Sequence, residues 1–312
     1  MENGVVYFPK SRNIGDDIQT YAASLLVDNP QFCDRERLDL VEAPTKLLCN
    51  GWFKEDAAHW PPSKAVQPLF TSFHISTKNV DSMTTPEAID YYKKYQPIGC
   101  RDYHTVNILE KFGVEAYFSG CITLTLPKVE APRGNEILFV DVLRTNYTDA
   151  YRQTVVNNII PDAYRDKISF VTHFSEDLHK ISVEDRMKQA KEMLDRYSKA
   201  KLVFTSLIHC ALPCVALGTP VVFVDFGFNN NAAKRDRFNG IIDLFHIVSD
   251  LEAPYMNRDL KGKLGRGLGL YKMSQDKISK LPESLFEYNT VTNGHLEIVD
   301  NFKKSISQFY NS

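Results

Sequence analysis

Between Lys201 and Asp225 the chain reads KLVFTSLIHCALPCVALGTPVVFVD, two short apolar runs on either side of a compact helical segment. Leu202, Val203 and Phe204 form the unbroken β-prone run expected of a strand buried on both faces of a parallel sheet. Thr205 and Ser206 end that run, and Ser206 is the expected N-cap of a short apolar helix from His209 to Leu217. Gly218 suits the C-terminal cap, and Pro220 stops the helix before the next run, Val221 to Val224. Strand, helix and strand in so few residues make a βαβ crossover, which commits the chain to a parallel α/β sheet. Pro213 fits a helix only in its first turn or at a kink, so the expected helix start is near His209 or Cys210. His209 then stands beside a helix N-terminus, where free N–H groups and the dipole favour a phosphate or carboxylate.

With 312 residues the chain has room for two α/β lobes. A hydrophobic content of 43% with 24% charged residues excludes a disordered chain. The formal net charge of −2 gives no overall attraction to nucleic acid or to an anionic membrane, so any anion site must be local. Cys33, Cys49, Cys100, Cys121, Cys210 and Cys214 are irregularly spaced in mostly apolar surroundings, which points to reduced thiols in the cytoplasm. The N-terminal MENGVVYFPKSRN lacks the basic start and apolar core of a signal peptide, and no run approaches a membrane span. The expected location is cytoplasmic, with any lipid-linked substrate met peripherally.

Along the chain, Val5 to Phe8 reads as a first strand, followed by a glycine-containing loop and a helix carrying Ile18, Tyr21, Ala22 and Leu25 at helical spacing, with Asp16 or Asp17 as its cap. Strands are expected at Arg37 to Val41, Lys46 to Cys49, Leu69 to Ile75 and Ile98 to Cys100, and helices at Pro86 to Tyr95 and from Asp102 through Lys111. The prolines of HWPPS break regular structure before Leu69. Residues 1–127 form the first Rossmann-like lobe and KVEAPRGN, at 128–135, a linker; a second lobe follows over 136–290 and a last helix over 291–312. The second lobe has strands at Ile137 to Val142 and Ile168 to Thr172, with His173 just beyond, then an amphipathic helix from Val183 to Ser198. The segment Asp149 to Ile159 reads as a helix.

The run from Ala200 to Val222, with Thr205-Ser206, His209, Ala211-Leu212 and Leu217 to Val222 in order, resembles the signature of the polysaccharide pyruvyl transferase family. Asn13-Ile14-Gly15-Asp16-Asp17 is similar to that family's N-terminal Asn-x-Gly-Asp loop, and Gly99-Cys100-Arg101-Asp102 to its central Arg-Asp element. The resemblance implies two Rossmann-like lobes facing a cleft, as in GT-B glycosyltransferases, with a C-terminal helix crossing back. It also implies a transferase of polysaccharide or glycan biosynthesis that moves the pyruvyl group of phosphoenolpyruvate onto a sugar hydroxyl as a ketal. Two positions depart from the pattern. Leu207 stands where the family usually has an arginine, which leaves the donor open, and Gly120-Cys121 stands where relatives tend to carry Asp-Pro.

Ketal formation needs a proton at the donor methylene carbon, attack by a sugar oxygen on the neighbouring carbon and departure of phosphate, so an imidazole is a suitable acid or base. His209 is the expected acid, with Asp17 as a base and His74 as a second acid or base. Arg101 and Arg144 are the expected guanidinium forks for the anionic donor, joined by Ser206 and by Lys234 and Arg237 from the polar loop after Asp225. Asn13, Gly15, Asp16 and Trp52 are the expected acceptor side, with Asp16 also a candidate helix cap and Trp52 and Trp60 able either to stack on a sugar or to pack internally. His209, Cys210 and Cys214 do not make a metal site, because the histidine leaves the helix on another face and no second ligand pair is spaced for zinc. No cofactor is expected beyond phosphoenolpyruvate as donor. The acceptor is a sugar nucleotide, lipid-linked sugar or glycan, with no nucleic acid partner. A GT-B glycosyltransferase using a nucleotide sugar is the alternative, and an inactive glycan-binding relative a second one.

Overall fold

The structure, a computed structural model, describes residues 1–53, 59–142, 156–224, 238–248 and 280–311. Six strands, β1 (Glu2–Tyr7), β2 (Gln31–Asp34), β3 (Thr45–Phe53), β4 (Val66–Ile75), β5 (Ile98–Cys100) and β6 (Ala116–Phe118), form one parallel sheet in the order β2-β1-β3-β4-β5-β6. Five more, β7 (Ile137–Val140), β8 (Ile168–Val171), β9 (Leu202–Thr205), β10 (Val221–Val224) and β11 (His246–Val248), form a second parallel sheet in the order β11-β10-β9-β7-β8. These are the two Rossmann-like lobes that the α/β reading requires. Parallel strands need crossovers, and the helices that make them cover the sheet faces.

Side-chain alternation divides each sheet cleanly. In the first, Val6, Leu47, Cys49 and Cys100 face helices α2 (Pro86–Lys94) and α3 (Tyr103–Lys111), whereas Val5 and Leu48 face α1 (Ile14–Ser24) and the C-terminal helix. In the second, Leu138, Val140 and Val203 pack on α4 (Val183–Lys199) and α5 (Ile208–Leu217), while Ile137, Phe139, Leu202 and Phe204 meet Tyr164, Leu281 and Phe286 on the other side. Ile14, Ile18 and Ala22 of α1 belong to the same apolar cluster as α4 and α5, so burial is continuous between the lobes. The last helix, α6 (Leu296–Asn311), does lie on the first lobe, with Phe302 and Ile306 against Val5, Leu48 and Ile122 and the Tyr310 hydroxyl donating to the Gly4 carbonyl at 3.0 Å.

Several local expectations are corrected. Arg37 to Val41 is not a strand. The Asp34 carboxylate accepts from the Glu36 N–H at 2.8 Å and starts a 3-10 turn over Arg35–Leu40, so a side-chain cap wins over the alternating pattern. The cap of α1 is Asn13, whose amide oxygen accepts from the Gly15 N–H at 2.9 Å; Asp16 and Asp17 fall in the first turn. Helix α5 begins at Ile208 with Leu207 as N-cap, not Ser206, whose hydroxyl donates instead to the Val224 carbonyl at 2.7 Å. Pro213 lies well inside α5, where it cannot donate to the carbonyl of His209 four residues back. The helix is buried along its whole length, and that packing outweighs the missing bond. Most of the helix expected over Asp149 to Ile159 falls outside the described residues.

Candidate functional site

In each sheet the strand order reverses beside the first strand, between β1 and β3 in one lobe and between β7 and β9 in the other. Crevices beyond the strand C-termini at such reversals are where open α/β sheets bind ligands. The turn from β1 into the start of α1 carries Asn13 and Gly15, and the turn from β9 into the start of α5 carries Ser206 to His209. The fold sets these two loops against each other. A Cβ on Gly15 would stand 3.0 Å from His209 Cβ and 3.1 Å from both His173 Nδ1 and Asn13 Oδ1, so the two lobes approach too closely here for a side chain. Backbone bonds lock the same corner: Ile14 N–H donates to the His173 carbonyl at 2.9 Å and Ser175 N–H to the Arg12 carbonyl at 3.0 Å.

His209 is buried and oriented from α1. Gln19 Nε2 lies 3.2 Å from His209 Nδ1 and also donates to Asp16 Oδ1 at 3.2 Å; Asp16 in turn accepts from the Ser11 hydroxyl at 2.6 Å. An amide turned to give Asp16 its N–H presents N–H, not oxygen, to the imidazole. Nδ1 of His209 is therefore the acceptor, and its ring proton sits on Nε2. Asp16 acts on the histidine through Gln19, a part in the site that its position in the sequence does not disclose.

Arg101 follows β5. Its side chain has no exposed surface, and its Nε, Nη1 and Nη2 make no hydrogen bond among the described residues. The facing carboxylate is Asp102, 3.5 Å away and shared with His74 Nδ1 at 2.6 Å. Burial by itself would raise the Asp102 carboxyl, but His74 and Arg101 outweigh it and hold it below the usual carboxylate range. His74, 1% exposed, thus props Asp102 beside Arg101 and does not stand next to His209 in the Gly15 corner.

Between these two places the first sheet is bulged. Cys49 pairs with Phe70 and Gly51 with Phe73, so Asn50 of β3 stands opposite both Thr71 and Ser72 of β4, with Ser72 at φ 55° and Gly51 at φ 85°. The bulge leaves Asn50 fully buried, with Oδ1 and Nδ2 both lacking a hydrogen bond among the described residues. Gly51 is two strands from Cys100, roughly 10 Å across the sheet. Uncompensated polar groups on Asn50 and Arg101 therefore share the strand ends that carry the histidine corner, a span suited to a ligand of several groups.

Other expected site residues are placed elsewhere. Asp17 is fully buried and engaged by Arg186, Nε to Oδ1 at 2.8 Å and Nη2 to Oδ2 at 3.2 Å; burial pushes its carboxyl up to about 7 against the opposing pull of that guanidinium. The Arg35 guanidinium lies 4.1 Å above the ring of the partly exposed Trp52, and Trp60 packs internally in an aromatic cluster with Phe53, Phe70 and Phe73. Arg144, Lys234 and Arg237 lie outside the described residues. Among the described residues no group of three or more His, Cys, Asp or Glu side chains is placed to hold a metal ion. Sequence reasoning passed over Gln19, Asn50 and His173; the signal available for His173 was its place directly after an apolar strand, the same signal that singled out His74.

A family model described as polysaccharide pyruvyl transferase matches residues 44–226, more than half of the chain. Among solved structures, the chain is similar to a functionally uncharacterized protein from Klebsiella pneumoniae, at 11% identity over 79% of this chain and 93% of that one, with a TM-score of 0.42. It is also similar to an E. coli heptosyltransferase solved with ADP, at 13% identity over 73% of this chain and 88% of that one, with a TM-score of 0.33. No curated protein matches it.

Proposed function

The chain belongs to the polysaccharide pyruvyl transferase family, and we propose that it transfers the pyruvyl group of phosphoenolpyruvate to a sugar in polysaccharide or glycan assembly. The observation that carries this reading is Arg101. A guanidinium with no exposed surface and no hydrogen-bond acceptor among the described residues is costly unless an anion arrives to take its donors. The carboxylate or phosphate of phosphoenolpyruvate fits that fork in a bidentate manner. Arg101 supplies the cation that Leu207 does not, since Leu207 packs against the apolar cluster between the lobes. His209 delivers its Nε2 proton to the donor methylene carbon and regains one released by the sugar hydroxyls, while the Gln19 amide N–H holds the ring at Nδ1. Arg144, Lys234 and Arg237 complete the anion site in this scheme, and Asn13 and Asp16 keep the acceptor side in register. The acceptor is a sugar nucleotide, lipid-linked sugar or glycan, and the reaction takes place in the cytoplasm.

The test is thermal unfolding with and without millimolar phosphoenolpyruvate. A tenfold excess over Kd stabilises by about 1.4 kcal/mol, or roughly 3 °C. No shift at any millimolar concentration rejects the donor. Leu207 favours a second reading, a glycosyltransferase with a nucleotide-sugar donor, which predicts stabilisation by a nucleoside diphosphate and none by phosphoenolpyruvate.

A further inference from the structure

We propose that Trp52 is a stacking platform for a nucleobase, so that the acceptor taken by this site is a sugar nucleotide. The proposal rests on the pyruvyl-transfer reading and chooses among the acceptors it allows. Trp52 lies near the C-terminal end of β3, which stands beside β1 where the strand order reverses and a crevice opens. Its ring is fixed from one side. The Arg35 guanidinium lies against two aromatic rings, 4.1 Å from the Trp52 centroid and 4.7 Å from that of Phe8. Arg35 Nη1 donates to the Trp52 carbonyl at 3.1 Å and Nη2 pairs with Glu36 Oε1 at 2.5 Å, with Arg35, Glu36 and Phe8 all buried. A clamped cation therefore takes one face of an indole that is still partly exposed. A ring held this firmly loses little freedom when a second ring stacks on it.

Two features choose a base over a pyranose. A cation behind the indole draws π density toward itself and leaves the open face poorer in electrons. That weakens contact with sugar C–H bonds and strengthens offset stacking on an electron-rich heteroaromatic ring. A sugar also needs polar groups around its platform to meet its hydroxyls. Arg35 is the polar side chain at the Trp52 ring, and its Nη1 and Nη2 are already engaged.

Position ties the platform to the reacting groups. Trp52 is in register with His74, which props Asp102 beside Arg101, so the platform stands two strands, roughly 10 Å, from the anion fork. One residue before Trp52, a Cβ on Gly51 would stand 3.3 Å from Gln19 Oε1, and the Gln19 amide holds His209. A base on Trp52 is thus joined to the histidine through neighbouring residues and lies across the strand ends from Arg101. The diphosphate and sugar of a sugar nucleotide are long enough to cross that distance, which a free monosaccharide is not.

The experiment uses the fact that the chain has only two tryptophans. Trp60 sits among Phe53, Phe70 and Phe73, so Trp60→Phe keeps a ring in that cluster and leaves Trp52 as the sole indole emitter. The full chain carrying Trp60→Phe is titrated with UDP, ADP and the methyl glycosides of glucose and galactose. Saturable quenching of Trp52 by at least one nucleotide, together with protection from acrylamide and no response to the glycosides, supports the platform. In the otherwise wild-type chain, Trp52→Leu is expected to weaken nucleotide binding by roughly 5- to 150-fold in calorimetry, while Trp52→Phe keeps most of it. Stabilisation by phosphoenolpyruvate is expected to be unchanged in both. A glycoside that quenches as strongly as either nucleotide overturns the choice of a base. Emission that responds to no ligand, or unchanged nucleotide affinity in Trp52→Leu, overturns the platform. Should Trp52→Leu fail to fold, the Trp60→Phe titration decides by itself. Phosphoenolpyruvate that fails to stabilise the wild-type chain while a nucleotide still quenches Trp52 is the separate signature of a wrong donor, and the platform stands.

Discussion

Arg186 of α4 closes on Asp17 of α1 through two hydrogen bonds, at 2.8 and 3.2 Å, with both side chains buried. The same guanidinium donates to the Pro9 and Ser11 carbonyls at 2.7 and 3.3 Å, so one side chain of the second lobe holds the whole β1–α1 turn of the first. Removing one member leaves a buried charge and two carbonyls unanswered. Arg186→Ala is expected to destabilise the chain by about 3–5 kcal/mol in urea unfolding. A change under 1 kcal/mol would show that the pair is incidental.

The burial of Asp17, only partly offset by this contact, sets a pH dependence. The folded pKa of Asp17, about 7, lies above the unfolded reference of about 3.9, so the folded state binds the extra proton between these values. Its contribution to stability is complete below pH 4 and is lost as pH rises through 7. Relative to Asp17→Asn, wild-type stability should fall across that window by up to about 4 kcal/mol. Denaturant titrations at pH 4.5, 6 and 7.5 measure it, and a flat difference between the two proteins refutes it.

Gly15→Ala puts a methyl group 3.0 Å from His209 Cβ and 3.1 Å from His173 Nδ1. The histidine corner must shift by a few tenths of an ångström, which disturbs a reacting geometry far more than a packed helix. Turnover should drop by about 100-fold, with stability lowered by no more than about 2 kcal/mol. Comparable activity in the alanine variant would mean that nothing reacts over this residue.

Arg101→Met separates stability from binding. Asp102 retains His74 at 2.6 Å and the Thr105 N–H and hydroxyl at 2.9 and 2.8 Å, so losing a guanidinium 3.5 Å away leaves it satisfied. The variant is expected to unfold at or above the wild-type temperature, because a buried guanidinium that makes no hydrogen bond among the described residues has gone, while losing stabilisation by phosphoenolpyruvate. A severely destabilised variant would instead identify Arg101 as a structural cation.

Much of the sheet scaffold was legible locally. Leu202 to Phe204 and Val221 to Val224 are the uniform apolar runs that only a doubly covered strand tolerates, and Gly218, at φ 76°, ends α5 as its position suggested. Arg35–Leu40 was not legible, because a cap from Asp34 and an alternating strand leave similar patterns. Nor was Pro213 in mid-helix, since burial on every side of α5 is a property of its neighbours.

The site divides along the same line. His209, Gly15 and Arg101 stood out because each follows a strand, and strand ends in a parallel sheet face one way. Which of them meet was settled by contacts between residues far apart in the chain: Gln19 with His209, Asp17 with Arg186, Gly15 with His173. The amino-acid order alone determined the parallel α/β lobes and the strand-end residues, because periodicity and capping act over a few residues. Tertiary structure alone decided that Asp17 is a clasp, that His74 props Asp102 and that His173 faces Gly15, because hydrogen bonding and burial at those positions depend on where the second lobe comes to rest.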